Sequence, residues 1–158
     1  QQDCLDLSGT YAYQLNVRGL DGQLVTANQT LVVRDAQTGP PLEGTNWILQ
    51  SYYDGVGAMV GVLDGSTINA VFGVDGSVIG NSGCNNYAAT YTVDGQNITI
   101  GQPSGELALC ETPTGVMEQE QIYLNLLPTA ATHDLASGFL TINDGTGRPV
   151  LQYVAANP

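Results

Sequence analysis

A chain of 158 residues with 42% hydrophobic content can bury one core, or one domain plus an added hairpin. Fifteen acids face three cations (Arg18, Arg34 and Arg148, with no lysine), for a formal charge of -12. That balance argues against nucleic acid and anionic lipid as partners, and no apolar run reaches the roughly 20 residues that span a bilayer.

The chain opens on Gln1-Gln2-Asp3, which reads as a mature form after signal removal or as a trimmed piece. Strand patterns follow at 9–17 and 23–34, forming a hairpin around Leu20-Asp21-Gly22. Residues 37–41 read as a linker because Pro40-Pro41 breaks the chain. Residues 1–41 are therefore expected to be a hairpin extension with its linker, and 42–158 a separate domain. A further strand is predicted at 45–53.

Asp-Gly then punctuates the sequence. Three hairpins are predicted: 71–74 with 77–80 about Asp75-Gly76, 90–93 with 96–100 about Asp94-Gly95, and 139–142 with 149–154 about Asp144-Gly145. Asp-Gly suits a type I′ turn, in which both central residues take positive φ. One helix is predicted from 113 to 127, with Thr112 as cap, Pro113 at its first position and Pro128 as its stop. Val116, Tyr123 and Leu127, beside Met117 and Leu124, form its apolar stripe, and Glu120 can face inward and accept hydrogen bonds. The pattern predicts a mainly β protein: a small curved antiparallel sheet or barrel, one α-helix over an open end or face, and an N-terminal β-hairpin.

Cys84 lies in Gly80-Asn81-Ser82-Gly83-Cys84-Asn85-Asn86-Tyr87, and Cys110 precedes the helix. Their first reading is a disulfide between two loops; a pair of buried thiols in a reducing compartment is the alternative. Cys4 is left as an intermolecular, lipidated or free thiol, although it could also pair with Cys84 or Cys110. No C-x-x-C or histidine cluster suggests a metal, and no cofactor is expected. His133, with Asp134 and Ser137 nearby, reads as a solvated or capping residue in a β-turn rather than part of a triad. The isolated aspartates before glycine read as turn formers, not as a calcium loop. Glu106, Glu111, Glu118 and Glu120 read as solvated groups at a helix start. The aromatics read as core and cross-strand pairs, with glycan or partner binding by exposed tyrosines as the alternative. Asn28-Gln29-Thr30 and Asn97-Ile98-Thr99 match the glycosylation pattern.

From about 42 to 154 the chain resembles the META domain, the HslJ-like family of bacterial envelope proteins. The likeness is carried by Leu42-Glu43-Gly44-Thr45-Asn46-Trp47, by 72–80 leading into Ser82-Gly83-Cys84-Asn85-Asn86-Tyr87, by Leu107-Ala108-Leu109-Cys110, by 117–124, and by Leu140-Thr141-Ile142. The resemblance implies a barrel-like fold with a helix, export, and no defined biochemistry. The expected function is non-enzymatic: a secreted or envelope module acting by binding or structural support. The alternatives are a subunit of an extracellular fibre or oligomer assembled through the N-terminal segment, and a carrier of a small apolar ligand. A protein partner or self-association is expected, with the ligand unidentified, in the periplasm, at the cell surface or outside the cell.

Overall fold

The computed structural model describes residues 9–18, 23–33 and 39–156. The chain divides into two compact units, Gln1–Ala36 and Gln37–Pro158. In the first, β1 (Gly9–Arg18) pairs antiparallel with β2 (Leu24–Val33), with Gly9 opposite Val33 and Arg18 opposite Leu24. Cys4, Arg34 and the turn at Leu20-Asp21-Gly22 lie outside the described residues.

The second unit is a closed antiparallel barrel. Its strands are β3 (Asn46–Tyr53), β4 (Met59–Gly61), β5 (Asn69–Phe72), β6 (Ser77–Asn81), β7 (Asn86–Asp94), β8 (Asn97–Ile100), β9 (Ser104–Gly105), β10 (Ala130–Ala136), β11 (Phe139–Asp144) and β12 (Pro149–Ala155). Eight of them form the wall in the order β3-β5-β6-β7-β8-β10-β11-β12, and β12 returns to β3 to close it. The seam between β8 and β10 is the thinnest part. It rests on the pairing of Thr132 with Asn97, extended by the His133 N–H donating to Gln96 O at 2.8 Å.

Alternation along the strands fills the barrel. In β7, Tyr87, Ala89 and Tyr91 are buried while Asn86, Ala88 and Thr90 are exposed, the period-two pattern of a strand with one wet face. Trp47, Phe72 and Tyr153 are fully buried, and Phe72 meets Tyr91 edge-on with ring centroids 5.0 Å apart. The helix α1 (Val116–Leu126) adds Tyr123 to this core, and the 3-10 turn Leu127–Thr129 adds Leu127.

The three Asp-Gly hairpins form, but not with the expected turns. Gly76 carries positive φ (79°) and Asp75 does not; the Gly76 N–H donates to Gly73 O, giving a four-residue turn that ends in a left-handed glycine. At Asp144 the left-handed residue is Gly147 (82°), not Gly145. At Asp94 the two loop residues are Gly95 and Gln96, with only the glycine at positive φ. The type I′ pattern occurs instead at Ser137-Gly138, where φ is 51° and 82° between β10 and β11.

Two further expectations are corrected. His133 and Asp134 lie in a strand, Ala130–Ala136, and of the expected β-turn only Ser137 falls in one, because pairing along β11 overrides the weak strand preference of an Ala- and Asp-containing segment. The helix begins at Val116 behind the left-handed Gly115. Thr112 and Pro113 stand in the turn before it and supply no side-chain cap.

Tyr87 is flanked by glycine on both neighbouring strands, Gly80 on β6 and Gly105 on β9. A Cβ at Gly80 would run into the Asn69 carbonyl, and one at Gly105 into the Asn86 carbonyl. Gly80→Ala is therefore expected to cost about 1–3 kcal/mol through overpacking against backbone that cannot yield. Urea unfolding checks this, and a change within error would refute it.

Candidate functional site

The loop from Asn81 to Asn86 turns β6 into β7 and is tied down by the helix. Ser82 is fully buried and its hydroxyl donates to Glu120 Oε2 at 2.6 Å. The backbone N–H groups of Asn85 (2.8 Å) and Cys84 (3.3 Å) donate to the same oxygen, and Asn85 Nδ2 donates to Glu120 Oε1 at 2.6 Å. Burial alone would raise the Glu120 carboxyl, but these hydrogen bonds outweigh it and hold the group below the usual glutamate range. The neighbouring Gln119 performs a parallel task. Its Oε1 accepts from Leu63 N at 2.7 Å and its Nε2 donates to Ser66 Oγ at 2.9 Å.

Two more tethers reach the segment before the helix. Ala108 donates its N–H to Asn85 Oδ1 (2.8 Å) and accepts from Asn85 Nδ2 (3.0 Å), so an amide side chain imitates a strand neighbour. Cys84 and Cys110 are joined by a disulfide across 26 positions of sequence. Clamped in this way, the strap presents Leu107 and Leu109 at 95% and 87% exposure.

Beside the loop, on the outer wall, runs a groove of about 740 Å³. Its floor is the cross-strand row Val71, Ile79 and Ala88. Its side is a row of amides: Asn69 Nδ2 donates to Asn46 Oδ1, Asn81 N to Asn69 Oδ1, Asn81 Nδ2 to Asn86 Oδ1, and Asn86 Nδ2 to Glu106 Oε2. A second hollow of about 330 Å³ shares Asn86, Ser104, Gly105 and Glu106 with the groove and continues to Leu107 and Leu124. The saturated Glu120 lies at its base.

Under this wall the hydroxyls of Tyr87, Tyr123 and Tyr153 form a chain, 2.6 Å and 3.1 Å apart, and Tyr87 OH donates to Asn69 O at 3.2 Å. Burial raises all three phenols well above the ordinary tyrosine value. A raised value in the folded state means the stability tied to these protons is intact below the unfolded tyrosine pKa of about 10 and is lost as pH rises through the folded values. Absorbance titration near 295 nm should therefore leave three tyrosines silent until alkaline unfolding. Smooth ionisation of all eight tyrosines of the chain in the native state would refute it.

The other sequence candidates lie elsewhere. His133 is 7% exposed within β10, with Nδ1 3.2 Å from Gln96 O, so it is a buried strand residue rather than a solvated or capping one; burial lowers its pKa. Asp134 is spent on Asn143 Nδ2 at 3.0 Å, and Ser137 sits in the β10–β11 turn. Asp54 and Asp75 accept N–H groups of their own turns. Asp144 does the same, and hydrogen bonds from Thr146 and then Arg148 hold its carboxyl below the usual range. Arg148 reaches from Asp144 (2.8 Å) to Tyr53 OH (2.9 Å). Among the described residues no three His, Cys, Asp or Glu side chains cluster as a metal site, and no helix is long and apolar enough to cross a membrane.

Sequence reasoning missed the roles of Gln119, Asn85 and the amide row. A signal for the first was present. Positions 119 and 120 fall within the stripe drawn by Val116, Tyr123 and Leu127, so the helix period itself turns both polar side chains inward.

Fold and site define a disulfide-stapled eight-stranded barrel whose single helix locks the β6–β7 loop. The chain belongs to the META domain family, whose model matches residues 40–157. Among solved structures it is similar to a protein from Burkholderia xenovorans determined by NMR, with a TM-score of 0.60 and 22% identity over 74% of this chain and 85% of that one. A second NMR structure matches with a TM-score of 0.53 and 19% identity over 71% of this chain and 89% of the other. These likenesses concern the fold alone. No curated protein matches the chain by sequence.

Proposed function

We propose that the protein is a non-enzymatic, exported module that binds a partner on the outer wall formed by β5, β6, β7 and β9. The observation that carries this reading is the open trough beside a loop held by a disulfide, a buried carboxylate and an amide clamp. Binding surfaces gain from rigid walls because less ordering entropy is lost on association. Three side chains suited to proton transfer, Glu120, His133 and Asp134, are engaged in hydrogen bonds within the fold. The barrel interior is occupied by Trp47, Phe72, Tyr123 and Tyr153, which favours the outer surface over the lumen and speaks against an apolar-ligand carrier. A disulfide in a lysine-free acidic chain supports an oxidising compartment outside the cytosol. Incubation with panels of esters, glycosides and peptides is the test. Turnover abolished by Glu120→Gln or His133→Asn, with the fold intact, would overturn the reading.

A second reading, assembly into an extracellular fibre or oligomer through residues 1–36, is favoured by the hairpin of that unit. Two strands alone are marginal in water, and a strand from a neighbour would complete such a sheet. Non-reducing electrophoresis with light scattering decides it, since a monomer at high concentration, unaffected by Cys4→Ser, would exclude assembly.

A further inference from the structure

We propose that the trough receives an extended peptide segment of a partner protein, with a lysine or arginine lodged between two apolar side chains. This deepens the binding reading above and rests on it. The groove and the adjoining hollow meet at Ser104, Gly105 and Glu106. On one side of that ridge lie Val71, Ile79 and Ala88, with Ile79 53% exposed on a strand whose inward face is already packed. On the other side lie Leu107, 95% exposed, and Leu124. The apolar surface is thus divided into two patches with one accessible carboxylate between them.

Glu106 is exposed, and its carboxylate accepts a 3.3 Å hydrogen bond from Asn86 Nδ2. The only other carboxylate lining either hollow, Glu120, is saturated by four donors of the loop. A ligand cation would therefore settle at the ridge rather than at the base. The charge of the whole chain points the same way. Fifteen acids against three arginines attract a cationic segment and oppose a second copy of this chain. Arg148, the one cation between residues 39 and 156, is committed to Asp144 and Tyr53. The amides of Asn69, Asn81 and Asn86 flank the floor and retain oxygen and N–H capacity for a peptide backbone, since each oxygen has two lone pairs and each NH₂ two hydrogens.

The test selects displayed random heptapeptides on the immobilised full chain, then titrates the enriched peptide, made synthetically, into ¹⁵N-labelled protein. The expected consensus has Lys or Arg between apolar residues, and saturable shifts at Ile79, Asn86, Glu106 and Leu107. Glu106→Gln should weaken binding about threefold to fivefold, as loss of one partly screened charge pair does. Raised salt should weaken it further. Ile79→Ser should weaken it about tenfold through lost apolar contact. Both side chains are exposed, so neither variant threatens the fold. Enriched peptides without a cation, shifts on another face, or no enrichment at all would overturn the proposal. So would a dimer by light scattering that Ile79→Ser dissolves, because a second copy would then own the trough. Saturable binding of cation-free peptides on this same wall would remove this ligand class and leave the binding reading standing, whereas turnover would remove the module itself.

Discussion

Glu120→Ala is expected to lower the unfolding free energy by about 3–4 kcal/mol, the largest effect of any single substitution near the β6–β7 loop. Four donors converge on this carboxylate from Ser82, Cys84 and Asn85. Deleting the acceptor leaves the buried Asn85 backbone N–H without a partner, which is costlier than losing the bond itself, while the Ser82 hydroxyl turns wholly to the Asn85 carbonyl at 2.8 Å. Water entering from the adjoining hollow offsets part of that loss, which keeps the figure below the sum over four bonds. Glu120→Gln should recover less than half, because the amide keeps Oε1 for Asn85 Nδ2 but turns an N–H₂ toward three donors. Urea unfolding monitored by Trp47 fluorescence measures both variants. A loss under about 1 kcal/mol for the alanine variant would sink the account, since that is the range of ordinary surface changes.

The same residue sets a pH dependence whose sign is fixed. Its carboxyl is held below the usual glutamate range in the folded protein. The unfolded chain therefore binds the proton first as pH falls. Stability from Glu120 is fully present above the unfolded value, about 4.3, and drains away as pH drops through the folded value. The Glu120→Ala variant should show a flatter acid limb than the parent.

Removing the disulfide comes second. Cys84→Ser with Cys110→Ser opens a loop of 26 residues, and chain entropy assigns about 3.5 kcal/mol to closing a loop of that size. The Asn85–Ala108 clamp spans the same two segments and remains in the folded state, so the native geometry should persist while the unfolded ensemble expands. The expected signature is a lower urea midpoint with faster amide exchange at 107–110. Because Glu120 and the disulfide hold one loop, their losses should not add; a double-mutant cycle should return a coupling of about 0.5–3 kcal/mol. Strict additivity would mean that the two tethers act on independent parts of the fold.

The sequence carried a good deal of this. Val71-Phe72, Thr90-Tyr91-Thr92-Val93 and Phe139-Leu140-Thr141-Ile142 announced strands because β-branched and aromatic residues alternated up to a glycine-bearing turn. The helix was legible in the spacing of Val116, Tyr123 and Leu127, though not its start. Left-handed Gly115 puts the first turn three residues later than the proline suggested. Strand β10 was not legible. Ala130-Ala131-Thr132-His133-Asp134 has little strand preference of its own, and its conformation comes from β11 alongside it. The turn expected around His133, Asp134 and Ser137 falls later, at Ser137-Gly138, where the paired strands impose the serine's positive φ.

By itself, then, the chain's local chemistry determined which segments extend, where the glycines let it turn, that one helix would form, and that two cysteines in separate loops were available to join. Those properties depend on neighbours within a few residues. The tertiary structure decided what distance along the chain conceals: that the sheet closes through β12 onto β3, that Glu120 is the anchor of a loop 35 positions earlier, and that Glu106 stands between two apolar patches. Burial and hydrogen-bond saturation belong to the assembled barrel. They separate the carboxylate that holds the fold from the one that faces solvent, a distinction two glutamates in a sequence cannot display.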